Sequence, residues 1–379
     1  MVGLGAHGSA ALYHLSQEKG LHVIGFDRFD PPHTKGSAHG ETRLIRYAYG
    51  EGDHYVPLLL AARDNWRALE KASGEDILFE CGRLQNNPPD INYFKKSLAA
   101  ARKNDLPHEV IDGRTTRKRF PGFNVPDGSV TICDHTAGYL MCEKAIQVHL
   151  NMARKKGVQV VTNTAVKWNK ANGFYILQSE KTDQPLATAD KIILTNGAWF
   201  PASAPLKSTK TMKISRLTLH WFKPLGDKWA EHYAPDNFAT FQIFESDTYV
   251  CYGTPLINGY LKIGRYHYDR DKIKSPNNLN REITPQDIDD ITYWVKSYLP
   301  GLHQKPSKSV ACMTTYTSDE DFILGPSPQD EGIILGHACA GHGFKFSSVI
   351  GEILSDLAID GKTKYDLSHH SPMRFSSHA

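Results

Sequence analysis

Long uncharged apolar runs, a dominant charge of one sign and paired CxxC cysteines are all missing from this sequence. No apolar run approaches the ~18–20 residues needed to span a bilayer, so a membrane-crossing helix is excluded and no membrane partner is expected. Lys and Arg number 44 against 41 Asp and Glu, a net charge of +3. The two signs are interspersed, which leaves no basic stripe for a nucleic acid. The six cysteines (Cys81, Cys133, Cys142, Cys251, Cys312 and Cys339) are scattered. That pattern argues against a disulfide scaffold or a zinc site and for a reducing, cytoplasmic setting. Residues 1–15 are apolar but lack the basic start of a signal peptide and carry three glycines, so secretion is not expected.

What is present fits a folded globular chain. The 379 residues suggest two to three domains at roughly 150 residues each. The chain opens Met-Val-Gly3-Leu-Gly5-Ala-His-Gly8 and runs into a helical pattern with apolar positions at Ala11, Leu12 and Leu15. A strand pattern follows from Leu21 to Phe26 and ends at Asp27. This is G-x-G-x-x-G with an acid roughly 20 positions on, the dinucleotide-binding fingerprint. Gly3 permits the tight turn, and Gly5 lets backbone N–H groups approach a pyrophosphate at the helix N-terminus. Gly8 allows the helix to pack closely on its strand, and Asp27 can accept hydrogen bonds from ribose hydroxyls. A first strand of about 5–6 residues should precede this motif, whereas only Met1 and Val2 do. That strand is central in a parallel sheet, so its shortness is expected to weaken both the sheet and the cofactor site.

Further along, residues 137–156 read as a loop and then a helix from Glu143 to Arg154, stopped by Gly157 and followed by a strand from Val158 to Thr162. Lys191–Thr195 reads as a buried strand, Gly332–Leu335 as a short one, and Gly341-His342-Gly343 as the lead-in to a helix from about Phe346 to Leu357. The nucleotide-binding sheet is therefore expected to return at the C-terminal end. Residues 79–132 and 210–299 differ in character, with aromatic-rich strands such as Leu217–Phe222 and Thr248–Tyr252. They suggest a β-rich domain inserted in two pieces, and residues 269–280 read as a polar loop. The expected fold class is α/β, a Rossmann-like nucleotide-binding domain with a second, β-rich domain.

Residues 33–52 combine glycines with Arg43 and Arg46, which are three apart and could share a helical face. Their guanidinium groups could serve a carboxylate or a flavin ring, and a solvated basic patch is the plainer alternative. Cys312 alone reads as an inert buried hydrophobe, Lys262 as a strand lysine reaching to solvent, and Tyr252 as a half-buried strand aromatic.

The segments from Pro31-Pro32-His33 to Gly52, Lys262-Ile-Gly264, Ala311-Cys312 and Gly341 to Ser348 together change these readings. With them the chain resembles the monomeric sarcosine oxidase and N-methyltryptophan oxidase family of flavoprotein amine oxidases, from Gly3 to Arg374-Phe375. The resemblance implies an FAD domain assembled from residues 1–80, 136–207 and 306–379. It implies a substrate domain from residues 81–135 and 208–305. Cys312 matches the cysteine bonded to the flavin 8α-methyl group. His39, Arg43 and Lys262 match positions around the flavin ring, where positive charge favours the reduced anion and its reaction with oxygen, Lys262 being the oxygen-activating lysine. Arg46 and Lys345 match the pair that grips the substrate carboxylate, and Tyr252 matches a substrate-cavity tyrosine. Contacts to the cofactor are implied for Gly3, Gly5, Gly8, Asp27, Arg43, Cys312, Gly341, His342, Gly343 and Lys345. Two positions depart from the family. Thr314 stands where the sarcosine oxidases carry tyrosine, and Tyr266 falls on the active-site histidine position, with a histidine one residue later at 267. Both bear on the choice of substrate.

The expected activity is oxidative demethylation of N-methyl amino acids, yielding the amino acid, formaldehyde and hydrogen peroxide. The partners expected are a small amino-acid substrate and O2, with the chain acting as a monomer and without a metal. Alternatives are an oxidase of a cyclic or bulkier secondary amine such as pipecolate, a nicotinamide dehydrogenase, and an inactive chain whose short first strand fails to hold FAD.

Overall fold

Short apolar strands separated by helices pair in parallel, because only a long crossover can return the chain in the same direction. The computed structural model describes residues 1–206, 212–267 and 272–375. In it Ile24–Phe26 pairs in parallel with Gln159–Val161. Ile192–Leu194 pairs in parallel with Asp330–His337, along which Ile323–Ser327 runs antiparallel. Val2 joins the two halves through parallel bridges to Phe26 and to Leu194. Its N–H donates to the Ile193 carbonyl at 2.9 Å and its carbonyl accepts from the Thr195 N–H at 2.8 Å, while the Gly3 N–H donates to the Phe26 carbonyl at 2.8 Å. The short lead-in does not interrupt the sheet, contrary to the expectation from its length. With a hydrogen-bonding neighbour on each side, residues 1–3 continue the ladder.

The strands read with a period of two into different cores. Ile193 and Ile334 face a large core that includes the helices Val56–Ser73 and Ser347–Asp360. Ile192, Leu194, Ile333 and Leu335 face the opposite way, onto Tyr175 and Leu177 of a three-stranded antiparallel sheet, Val166–Ala171, Phe174–Ser179 and Pro185–Ala189. Helix Ala6–Leu15 packs between Cys142–Lys155 and Ser347–Asp360. A Cβ at Gly351 would come within 2.6 Å of Ala10, so the crossing is backbone-close.

The second body is a nine-stranded sheet. His108–Asp112, Val130–Asp134, Arg83–Asn87, Thr240–Ser246, Tyr249–Ile257, Tyr260–His267 and Lys213–Phe222 follow one another across it, with Lys272–Ile273 and Lys308–Tyr316 both on Lys213–Phe222. Its apolar side packs Phe123, Phe238, Phe241 and Trp294 into a separate core. Lys308–Tyr316 pairs over nine residues with Lys213–Phe222, Cys312 opposite Leu217. The strand carrying Cys312 is thus hydrogen-bonded to the sheet of the β-rich segments, although the resemblance groups it with the C-terminal part of the FAD domain.

Two local readings are corrected. Residues 138–141 form a strand, Gly138–Met141, paired with Thr42–Ile45 and Leu78–Phe79, and not a loop. Gly138 is required there, since a Cβ would meet the Phe79 carbonyl oxygen at 1.9 Å. Arg43 and Arg46 share no helical face, because Thr42–Ile45 is extended and the two guanidinium groups reach different partners. The polar segment 269–280 contains the short strand Lys272–Ile273, and its residues 269–271 lie outside the described residues.

Candidate active site

At Gly3 and Gly8 the backbone is as close-packed as their spacing predicts. Gly3 has φ +91°, and a Cβ there would meet the Asn196 backbone at 2.6 Å. At Gly8 it would meet the Gly3 carbonyl oxygen at 1.9 Å, so the helix start sits directly on the turn. At Gly5, the N-cap of Ala6–Leu15, nothing lies within 4 Å. This opening faces two adjoining cavities, of about 160 and 660 Å³, which share Ala6, His7, Ser37, Ala38, Ala338 and Cys339 on their walls.

The smaller cavity is bounded by Gly3, Gly5, Asp27 and Asn196. Asp27 is buried and accepts from the Leu4 N–H at 2.7 Å and the Phe29 N–H at 2.8 Å, with His33 Nε2 3.6 Å away. The larger cavity carries Arg43, Arg46, Tyr252, Lys262, Tyr266, Cys312, Thr314, Gly341, His342, Gly343 and Lys345. Every position expected near the flavin ring or the substrate therefore lines it except His39. That side chain is buried behind the walls with Nε2 lacking a partner among the described residues, and burial followed by the Arg43 charge pushes its pKa down to about 4.

Around Cys312 the groups are close. Its Sγ lies 3.3 Å from the Ser37 carbonyl and 3.8 Å from Arg43 Nη2, and burial pushes the thiol above its ordinary value against the pull of Arg43. Arg43 is fixed by donating to the carbonyls of Thr42 at 2.8 Å and Ser37 at 2.7 Å. Lys262, 4% exposed, donates to the carbonyls of Gly40 at 2.9 Å and of Thr42. Burial and the Arg43 charge push its pKa from 10.5 down to about 7. Tyr252 is pushed up to about 12 by burial, with Arg43 opposing.

A second cationic pair lies on another wall. Arg46 Cζ is 4.4 Å and Lys345 Nζ 5.4 Å from the centre of the Tyr49 ring. Lys345 donates to the His342 carbonyl at 2.5 Å, and burial together with the Arg46 charge holds its pKa well below the lysine range. The Tyr49 hydroxyl meets His342 Nδ1 at 2.7 Å, and burial keeps that imidazole neutral, with a pKa of about 3. Arg46 forms a two-pronged ion pair with Glu51, one prong at 2.8 Å, and the Tyr93 hydroxyl donates to the same carboxylate at 3.0 Å. Sequence reasoning missed both partners. Glu51 stands in the quoted Gly-rich segment between Gly50 and Gly52, a position that could have drawn attention, whereas Tyr93 comes from the helix Asn92–Lys103 and carried no signal.

The backbone beneath Arg46 is held from the nine-stranded sheet. Asp134 accepts from the Tyr47 N–H at 3.0 Å and the Ala48 N–H at 3.1 Å. Arg83 donates to the Ala48 carbonyl and to Gln242, both at 2.9 Å. Of the two departures, Thr314 places Oγ1 3.3 Å from Cys339 Sγ, and the Tyr266 hydroxyl lies 3.3 Å from where a Cβ of Gly341 would stand. The side chain of His267 is outside the described residues.

Comparison with known proteins settles the family. A profile described as FAD dependent oxidoreductase, DAO, matches residues 1–357. The chain belongs to the DAO family of FAD-dependent oxidoreductases. It is 35% identical over 386 residues to monomeric sarcosine oxidase of Bacillus sp. (strain B-0618), covering 97% of this chain and 93% of that protein. It is 31% identical over 378 residues to N-methyl-L-tryptophan oxidase of Yersinia pestis (strain Pestoides F), covering 99% and 98%. Among solved structures, NikD, an unusual amino acid oxidase essential for nikkomycin biosynthesis, superposes with a TM-score of 0.85 at 19% identity, covering 98% of this chain and 96% of that one. L-proline dehydrogenase from P. horikoshii gives 0.81 at 16%, with 99% and 96% covered. The α/β flavin-oxidase fold and an amine-oxidising FAD enzyme thus stand, and the nicotinamide alternative falls.

The cavities of this DAO member suit FAD on their own evidence. The open face at Gly5 leaves N–H groups of a helix start free to meet a pyrophosphate. Asn196 Oδ1 on the smaller cavity and Thr42 Oγ1 on the larger are buried without partners among the described residues, as groups awaiting a ligand would be. Among the described residues no helix is long and apolar enough to cross a membrane.

Proposed function

We propose that the protein is an oxidase of N-methyl amino acids, of the sarcosine or N-methyltryptophan type, with FAD attached through Cys312. What supports this reading above all is one cavity that gathers Arg43, Arg46, Lys262 and Lys345 beside the Cys312 thiol. Two pairs of basic side chains on two walls of one cavity suit an anionic substrate and an electron acceptor that becomes anionic. Overall, N-methyl amino acid, O2 and water would give the amino acid, formaldehyde and hydrogen peroxide. Bound flavin supplies the hydride acceptor and the route of two electrons to O2.

The chain's residues do the rest. Arg46 and Lys345, flanking Tyr49, bind the carboxylate, the guanidinium as a planar fork and the ammonium as a point charge. Because Glu51 already grips Arg46, the incoming carboxylate shares or displaces that ion pair. This fixes the amino nitrogen and its methyl group in the space below Tyr252, Tyr266 and Thr314. Lys262, clamped on two carbonyls beside Arg43, holds a charge whose protonation changes near neutrality, next to where oxygen is reduced. Water then hydrolyses the imine formed from the N-methyl amine. The protein is expected to act as a cytoplasmic monomer.

The test is acid precipitation of the purified protein, followed by a panel of sarcosine, N-methyltryptophan and pipecolate with peroxide detection. A yellow pellet and peroxide from the N-methyl substrates are expected. Flavin in the supernatant would remove the Cys312 linkage, and peroxide from pipecolate alone would move the substrate to cyclic amines.

A further inference from the structure

Three segments far apart in the chain meet at the rim of the larger cavity. His54 comes from the turn Asp53–Tyr55 that starts the helix Val56–Ser73, Asp321 from the loop before Ile323–Ser327, and His369 from the stretch before Pro372–Phe375. One ligand atom from each lies within 4.8 Å of the other two. We propose that His54, Asp321 and His369 form a binding site for one borderline divalent cation of the zinc type, beside the substrate entrance and separate from the flavin chemistry.

The donor set selects the ion class. Two imidazoles and one carboxylate suit Zn²⁺, and their two nitrogens disfavour Ca²⁺ or Mg²⁺, which require shells of oxygen. The separations fit as well. His54 Nε2 stands 3.4 Å from Asp321 Oδ1, about the edge of a tetrahedron with metal–ligand bonds of roughly 2.0–2.1 Å. His369 is exposed and its ring is stacked on His54 with centroids 4.2 Å apart, so on binding it unstacks and swings its nitrogen toward Asp321. Asp321 is oriented by the Tyr55 hydroxyl, which donates to its Oδ1 at 2.6 Å.

An independent sign of an unmet partner lies next to the three. His370, 1% exposed, packs its ring 5.7 Å from that of His54, and its Nδ1 is buried with no hydrogen-bond partner among the described residues. Leaving such an atom unsatisfied is unfavourable in an ordinary core. Neighbouring Asp319 is engaged by Arg374 and is not needed as a ligand.

The site is tested with Zn²⁺ itself, titrated calorimetrically into the full-length protein as purified and stripped with a chelator. One tight equivalent per chain is expected, weakened by roughly tenfold or more in His369→Ala and again in Asp321→Asn. Excess Ca²⁺ should not compete. His369 is exposed, so its variant keeps the fold, and circular dichroism would confirm that. Equal Zn²⁺ binding by wild type and His369→Ala would assign the metal to other histidines and overturn the proposal, as would the lack of any tight equivalent. Neither result touches the amine-oxidase reading.

Discussion

Lys262→Met should make the protein more stable, and more so in acid than in alkali. The unfolded lysine keeps its proton to an ordinary pKa of 10.5, whereas burial makes the folded one release it near 7. Between those values the unfolded chain binds more protons, so stability rises with pH. At 1.36 kcal/mol per tenfold difference, the burial penalty is about 5 kcal/mol at pH 6 and about 2 kcal/mol at pH 9. Methionine has a similar length and no charge, so it removes that penalty with little change of packing. The loss of the ammonium orphans nothing. The Gly40 carbonyl still accepts from the Thr42 N–H at 2.9 Å, and the Thr42 carbonyl still accepts from Arg43 at 2.8 Å. Urea unfolding of both proteins at pH 6 and pH 9 should show a gap in favour of the variant that is about 3 kcal/mol wider at pH 6. An equal gap at the two pH values, or a variant less stable at pH 6, would refute a desolvated lysine that titrates near neutrality.

Other outcomes follow from single contacts. Arg46→Ala should raise KM for amino-acid substrates by about 100-fold, as expected when a buried charge-assisted fork is lost, and leave KM for an amine lacking the carboxylate almost unchanged. Steady-state kinetics on both substrates separate the two effects. Gly8→Ala puts a methyl 1.9 Å from the Gly3 carbonyl, so it should lower stability by about 1–3 kcal/mol and reduce flavin content, read by absorbance per chain. Cys312→Ser should leave the acid pellet colourless with flavin in the supernatant, and a pellet that stays yellow would place the linkage on another residue.

Much of the architecture is legible along the chain because its signals are local. The Gly3-Gly5-Gly8 spacing announces the turn and the helix Ala6–Leu15, and the apolar runs around Ile24, Ile192 and Ile333 announce the parallel strands. Strand ends differ from the reading by a few residues, as with Asp330–His337 against Gly332–Leu335, because pairing and not composition sets them. What stays hidden depends on distant partners. The pairing of Lys308–Tyr316 with Lys213–Phe222 follows from a register no local pattern encodes. The same holds for Tyr93 on Glu51, Asp134 under Tyr47 and Ala48, and the meeting of His54 with His369. Arg43 and Arg46 show the limit most plainly. Their spacing suits a helix, yet the edge offered by Gly138–Met141 draws Thr42–Ile45 into an extended pair.

The packing of Ala6–Leu15 against Ser347–Asp360 also governs the order of events during synthesis. His7 Nε2 lies 3.5 Å from the Gly343 carbonyl at a sequence separation of 336, and His14 Nε2 meets the Ser348 carbonyl at 3.1 Å. The first helix made can rest on Cys142–Lys155 early, but its other flank stays uncovered until Ser347–Asp360, the last helix, has been made. Contacts of such separation form late, since the loop between them must close first. A chain halted before residue 347 would carry every residue that lines the two cavities and still lack the helix that backs the first one.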